Sequence, residues 1–541
     1  MPSLSQTGRL AFIGAVGLSV GGLLGGVGPV ALAGSAALTA VALAWVAAVP
    51  LPRRMRRERL EFTWWMPIRP GHARRPDEPV TLRVAVRNPT DGELTLGTPR
   101  LALSAGLRHA RWKGARVVVP PRAVATFDLE VRPAHAGRHV LHGAWMTLSG
   151  PLGIAWAPLY FPNPIVMEVQ PRAFGGVSQG RARPRPERAA ALRAGRAERR
   201  AGDGSEIREL REHQPGDPLR RVAWAASARR GKLLVRETED ESQSTRVLVV
   251  DASATMRGDD RGAAKVDYAI ELVAQAARQS LAAGDRLGMV AFDRRVVCSM
   301  APGDGAAHLR QVVQAAVDLR ALVDADLTDV DDDALIETVA RYFREQEGVD
   351  AFRDATPSDG RLRLQRMALK AIEHDPLARA PIVERDPVLR SLRAFCRSRA
   401  IPLPLKHDEE GAAKARGLAL ALDAAVAGAR EARTVLVVSD LDAVGDLSPV
   451  KLALGRMRQK HHRVTFVAPA GPDFAGRAPA VMSEAERARR DAVVSLYTGE
   501  ERHRLDEMRQ RLAASGVALY LAAAKDPFAR WLRRAASPRA R

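Results

Sequence analysis

GDGSEIRELREHQPGDPLRRVAWAASARRGKLLVRETEDESQSTRVLVVDASATMRG, residues 202–258, carries the two signals around which the rest of the chain is arranged. Its second half decides the fold. Val247 to Val250 is an apolar, β-branched run that stops on Asp251, Ser253 and Thr255. Such a run reads as a buried strand delivering oxygen ligands at its C-terminal end. In open α/β sheets that edge is where ligands bind. The first half is polar, with a turn at Pro215-Gly216-Asp217 followed by Arg220, Arg221, Trp224, Ser227 and Arg229, then Leu233 to Glu237.

Downstream the pattern is that of a doubly wound α/β domain. Lys265 to Ala282 has apolar residues at helical spacing, and Gly284-Asp285 ends it. Strands are expected at Arg286–Phe292, Val296–Met300, Thr434–Val438, Arg463–Ala468 and Val517–Ala522, with helices at 306–319, 449–459 and 500–514. The strand Thr434–Val438 runs into Ser439 and Asp440, so a second oxygen-bearing strand end is expected beside Asp251. Residues 321–404 interrupt this pattern as a mostly helical insertion. Its acidic run Asp324–Asp333 lacks the register of a calcium loop and is expected to start a helix at 334–344, carboxylates against the positive dipole end.

Upstream, Ala11–Val27 and Val30–Val49 are each about one bilayer crossing long, with Gly28-Pro29 as the turn between them. They predict a transmembrane helical hairpin over residues 1–52. A cleaved secretory signal with Ala31-Leu32-Ala33 at its end is the competing reading. A weak basic start (Arg9 alone) and the second apolar segment weigh against it. Arg53, Arg54, Arg56, Arg57 and Arg59 follow at once, and positive residues beside a span stay in the cytoplasm. The expected location is therefore the inner (cytoplasmic) membrane, multi-pass, with the soluble part cytoplasmic. Trp64 and Trp65 suit either the membrane interface or a core. Residues 60–172 alternate in short runs at 81–86, 94–98, 116–119, 126–131, 139–148 and 165–169 between turn signals, which predicts an antiparallel β-sandwich. Residues 173–201 form a basic linker, 202–245 the polar segment quoted above, and 246–541 the α/β domain with its insertion.

Composition narrows the classes. The chain has 541 residues and a formal net charge of +21, which suits an anionic partner: a lipid surface, nucleic acid or an acidic protein. The basic linker has no interleaved aromatics and no nucleic-acid fold motif accompanies it, so nucleic acid is the weaker of these. Cys298 and Cys396 make neither a metal spacing nor a disulfide framework and read as core thiols. There is no phosphate loop, no nucleophile elbow and no His/Cys metal spacing, so an enzyme is not expected.

Arg211, Glu212, Pro215, Gly216, Asp217, Arg221, Trp224, Ser227, Ala228, Arg229, Leu233, Val235, Arg236 and Glu237 resemble the signature of the bacterial membrane-protein family called domain of unknown function 58. His213 stands at its usual aromatic position and Val222 at its usual Ile. Asp251-x-Ser253-x-Thr255 after a buried strand resembles the metal-ion-dependent adhesion site of von Willebrand factor A domains. That resemblance implies Mg²⁺ or Mn²⁺ held by Asp251, Ser253, Thr255 and Asp440, with an open position filled by a partner's carboxylate. The usual threonine of a further loop is missing: 407–416 has no Ser or Thr, Lys414 is placed to put its ammonium where the cation would sit, and Thr328 is the remote substitute. Arg220, Arg221, Arg229 and Arg236, with Asp217, Glu237 and Glu239, read as a buried salt-bridge network joining the sandwich to the α/β domain, or as a docking face for an acidic partner. The family resemblance further implies an adaptor or scaffold working with a MoxR-like AAA+ ATPase in assembly or envelope maintenance. A charge-driven binder of anionic lipid or nucleic acid is the alternative.

Overall fold

The computed structural model describes residues 2–57, 60–67, 73–110, 116–174, 201–214, 222–239, 244–258, 264–407, 411–442, 444–474 and 482–536. The chain divides into two compact units: Met1–Arg172 with Asp260–Gly262 and Ala321–Lys406, and Ala173–Asp259 with Ala263–Arg320 and His407–Arg541.

The first unit opens with a helical hairpin, α1 (Gln6–Leu24) and α2 (Gly28–Ala48). Two helices here are long and apolar enough to cross a membrane, the second candidate span running on to Met55. Small residues set their separation. A Cβ on Gly22 would fall 2.4 Å from the backbone nitrogen of Ala31, and one on Gly34 2.4 Å from that of Ser19, the close approach that small residues permit between helices in lipid. Leu10, Ile13, Leu23, Leu24, Leu32 and Leu43 point away from the hairpin and are exposed.

Two antiparallel sheets follow. One has four strands in the order Glu61–Trp65, Val80–Arg87, Val124–Pro133, Leu107–Ala110; the other has six and is built on the long pair Gly137–Ser149 and Ala155–Val169. In Val80–Arg87 the period-two pattern buries Leu82, Val84 and Val86 and turns Thr81, Arg83 and Arg87 outward. Leu82, Val84 and Leu129 of one sheet share a core with Met146, Leu148 and Leu159 of the other. Trp64 is in that core, donating Nε1–H to the Asn163 carbonyl at 2.7 Å, whereas Trp65 is exposed. The expected strand at 165–169 is the end of a 15-residue strand. Pro158, Pro162 and Pro164 hide its first part in the sequence; Pro158 and Pro162 stay in register opposite Thr147 and Gly143, and the ladder shifts between Pro162 and Ile165, where Pro164 lies.

The insertion is helical, as expected, but its place needs correction. Residues 321–406 belong to the first unit, with the antiparallel sheets, not to the α/β unit that interrupts itself to supply them. Helices Asp332–Tyr342, Pro357–Ala371 and Pro387–Ser398 close their own core on Leu335, Val339, Leu364 and Phe395. Asp331 caps the first, accepting from Ala334 N at 2.7 Å, the role the acidic run suggested. Arg138, on the sheet strand Gly137–Ser149, joins the insertion to the sheet: its guanidinium forks onto both carboxylate oxygens of Asp375, at 3.1 and 2.5 Å, and onto the Ser398 carbonyl at 2.9 Å.

The second unit is a six-stranded sheet of β1 (Thr245–Asp251), β2 (Arg286–Phe292), β3 (Val296–Gly303), β4 (Thr434–Val438), β5 (Arg463–Pro469) and β6 (Ala518–Ala522). Their order is β3-β2-β1-β4-β5-β6, all parallel except the edge strand β3. The strands read as unbroken apolar runs because both faces are covered. Helices α3 (Lys265–Ala283), α4 (Ala412–Val426) and α5 (Glu484–Ala513) flank them. Val247, Val249, Val435 and Val437 face α4 through Leu418, Ala421 and Leu422 in one core. The strand order reverses between β1 and β4, whose C-terminal ends therefore lie side by side with their connections leaving in opposite directions.

Candidate functional site: a carboxylate cluster held by two lysines

β1 and β4 run parallel in register, Val250 beside Val438. The next residues are Asp251 on one and Ser439-Asp440 on the other, so the topology alone brings two carboxylates together. Both are fully buried. Asp251 Oδ1 accepts from Ser253 N at 2.9 Å, and its Oδ2 from the Ser439 hydroxyl at 2.5 Å. Asp440 Oδ1 accepts from Asp442 N at 3.0 Å and from the Thr255 hydroxyl at 3.2 Å. The Ser253 and Thr255 hydroxyl oxygens are 3.1 Å apart. All four residues expected to gather at this rim do so.

What lies between them is Lys414, on the first turn of α4. Its Nζ is 2.9 Å from Asp251 Oδ2, 2.9 Å from Asp440 Oδ1 and 3.1 Å from Thr255 Oγ1. A second ammonium, Lys265 at the start of α3, lies 3.1 Å from Asp440 Oδ2 and 2.7 Å from Glu501 Oε1 on α5; Glu501 Oε2 accepts from Gly471 N at 2.9 Å. Burial by itself favours the neutral form of each group, but charge pairing overcomes it. Asp251 and Asp440 hold Lys414 charged, raising its pKa; Asp440 and Glu501 do the same for Lys265. The two lysines in turn hold the Asp440 carboxyl well below the usual carboxylate range. Asp293, buried at the end of β2, is pushed up by burial and then by the charge of Asp251.

α4 reaches the cluster through two glycines. Gly411, at φ 68°, turns the chain into the helix. At Gly417 a Cβ would fall 1.8 Å from the Asp293 carbonyl oxygen, so only glycine lets the helix lie this close to the strand ends.

The expected Mg²⁺ or Mn²⁺ does not fit the residues present. The point where Asp251, Thr255 and Asp440 converge is filled by an ammonium at hydrogen-bond distances, and a cation placed there would share it with a fixed positive charge. Among the described residues no group of three or more His, Cys, Asp or Glu is arranged to hold a metal ion. Of the residues expected around an open position for a partner's carboxylate, Asp251, Asp440 and Ser253 are buried, as is Lys414, and Thr255 is partly so. Thr328, the substitute ligand, lies in the first unit, where it donates to the Asp324 carbonyl and accepts from Arg393 at 2.7 Å.

Sequence reasoning missed Lys265 and Glu501, yet both sit on apolar stripes. Glu501 shares the buried face of α5 with Leu505, Met508 and Leu512, and Lys265 that of α3 with Ala269 and Val273. A charge on an apolar stripe is the signal that would have found them.

The signature segment forms a two-stranded antiparallel ladder in which Arg211 pairs with Val235, Leu210 with Arg236 and Glu209 with Glu237. Gly216, Asp217 and Arg221 lie outside the described residues, as do the side chains of Arg211, Arg236 and Glu237. Ser227 is buried and structural: it accepts from Leu234 N at 2.8 Å and donates to the Ala223 carbonyl at 3.0 Å. Trp224 and Arg229 are exposed on a seven-residue helix, Trp224–Arg230, so Arg229 is not part of a buried salt-bridge network. Cys396 is buried as expected, and Cys298 only partly so.

Residues 209–342 match the family described as "Protein of unknown function DUF58". The uncharacterized proteins Rv1480 of Mycobacterium tuberculosis and Mb1516 of Mycobacterium bovis are each 37% identical over 87 residues, 16% of this chain. The match covers 27% of each relative's length. Among solved structures, a FixG-related protein from Vibrio parahaemolyticus aligns at 8% identity over 20% of this chain and 95% of that one, with a TM-score of 0.14. An Escherichia coli alpha-2-macroglobulin fragment aligns at 14% identity over 77% and 57%, with a TM-score of 0.17. Scores this low carry no argument about either unit.

Proposed function

We propose that this protein is a membrane-anchored adaptor. In this reading α1 and α2 form a multi-pass anchor in the inner membrane with the soluble part in the cytoplasm, the antiparallel sheets form a β-sandwich, and the second unit is a von Willebrand A-like domain that binds a protein partner. The partner class, a MoxR-like AAA+ ATPase in assembly or envelope maintenance, comes from the family resemblance of residues 211–237.

The observation that supports a binding role over catalysis is the state of the rim. It is the edge where an α/β sheet of this order presents its chemistry, and its carboxylates Asp251 and Asp440 are buried and committed to Lys414 and Lys265. Groups so engaged hold the domain's shape and are not free to move protons. Partner contact in this reading falls on the outer faces of the domain, not on a carboxylate bridged through the rim.

The test is capture with the full chain in detergent, after cross-linking in its own cells. The expected result is recovery of an AAA+ ATPase whose retention changes with nucleotide. A cross-linked extract yielding no such ATPase overturns the assignment.

A further inference from the structure

We infer that Lys414 is the resident cation of the β1/β4 rim: an ammonium tethered to the chain at a point where oxygen ligands from three segments would otherwise gather a divalent ion.

The match is chemical and geometric. An ammonium has three N–H donors, and three acceptors from β1, the turn after it and β4 meet this one at 2.9, 3.1 and 2.9 Å. These are charge-assisted N–H···O lengths. Mg²⁺ needs oxygens at about 2.0–2.1 Å and keeps several waters; here Nζ already fills the point where the oxygens converge, and a small ion could take it only by expelling the ammonium. Lys414 supplies one positive charge at Asp440 Oδ1, and Lys265, shared with Glu501, supplies a second at Oδ2. Gly417 is an enabling residue, because a Cβ there would fall 1.8 Å from the Asp293 carbonyl oxygen and hold α4 away from the strand ends that Lys414 reaches.

The rim therefore assembles without divalent ions, unlike a site whose ligands come together only when metal arrives. The acceptor set is also a latent cation site: removing the lysine side chain leaves Asp251, Ser253, Thr255 and Asp440 around a void with unbalanced negative charge. None of this depends on the partner assigned above, and failure to capture an ATPase leaves it standing.

The test is Mn²⁺ titration of the full chain in detergent, followed by paramagnetic resonance and thermal unfolding. Wild-type protein is expected to unfold at the same temperature in chelator and in millimolar Mg²⁺ or Mn²⁺. Lys414→Ala is expected to lose stability in chelator, recover part of it with Mn²⁺, and bind Mn²⁺ about tenfold or more tighter than wild type. Asp440→Asn added to it should abolish that binding. Lys414→Met, which fills the space without charge, should be destabilised and not rescued. Stoichiometric Mn²⁺ on wild-type protein, lost in Asp251→Asn, overturns the inference, as does a folded Lys414→Ala chain with wild-type Mn²⁺ affinity. If Lys414→Ala folds in neither condition, the wild-type titration decides: no Mn²⁺ effect supports the tethered cation, and Asp251-dependent binding refutes it.

Discussion

Lys265 donates to Glu501 at 2.7 Å, joining two buried charges 236 residues apart in the chain. Lys265 opens helix α3, where the positive end of the helix dipole disfavours a cation, and burial disfavours it further. It is held there by carboxylates from two other elements, Asp440 after β4 and Glu501 on α5. The pair thus fixes α5 and the start of α3 to the same strand end that Lys414 fixes from α4.

Glu501→Gln keeps the side chain's shape and removes its charge. Because Asp440 still pairs Lys265, the expected loss is about 1.5–3 kcal/mol, the range for a hydrogen bond to a charged group, and not the larger cost of stranding a buried ion. Replacing both residues with apolar ones of similar volume, Lys265→Met with Glu501→Leu, should recover much of it. Amide hydrogen exchange along β1 and β4 measures both. A Glu501→Gln protein with unchanged protection there would show that the pair holds nothing.

Arg138 and Asp375 are both about nine-tenths buried in side-chain terms, 9% and 10% exposed. Arg138→Ala strands the Asp375 carboxylate, with an expected cost of about 3–5 kcal/mol. Arg138→Lys should not rescue it fully, since a point charge does not fork onto two oxygens. Exchange should rise first in helix Pro387–Ser398, which the guanidinium ties to the sheet through Ser398. Uniform exchange across the unit would contradict this.

His142 lies 3.1 Å from the Tyr342 hydroxyl. Burial, and then the charge of Arg399, depress its pKa from 6.5 to about 4. Tyr342 is pushed up, first by burial, to about 12 and stays neutral. Between pH 4 and 6.5 the unfolded chain binds a proton that the folded unit refuses. The stability His142 contributes is therefore complete above 6.5 and lost as pH falls through that window. The size is on the order of 3 kcal/mol, since a tenfold change in proton affinity is worth about 1.4 kcal/mol. His142→Gln should flatten the pH dependence of the first unit's unfolding over this range. An unchanged slope in the variant would assign the effect to another group.

Much of the second unit was legible before any coordinates. Arg286–Phe292 and Thr434–Val438 are strands at the bounds their apolar runs indicate, because a strand covered on both faces has no reason to alternate. The long strand Ala155–Val169 was half hidden by its prolines, since local turn chemistry is identical whether the chain turns or a bulge absorbs the residue. Asp251, Ser253, Thr255 and Asp440 were readable as a convergent set because a parallel sheet places the ends of neighbouring strands together.

The sequence by itself determined that Asp251, Ser253, Thr255 and Asp440 gather at the rim, and it placed Lys414 in the stretch where the usual threonine is missing. Period and turn chemistry are local, and they survive translation into one dimension. Only the tertiary structure decided that the ammonium occupies the rim, that Lys265 and Glu501 complete the cluster, and that residues 321–406 fold with the antiparallel sheets. Those outcomes depend on distances between segments far apart in the chain. At about 3 Å a buried charge selects its partner by geometry and desolvation, and no pattern along the chain encodes that separation.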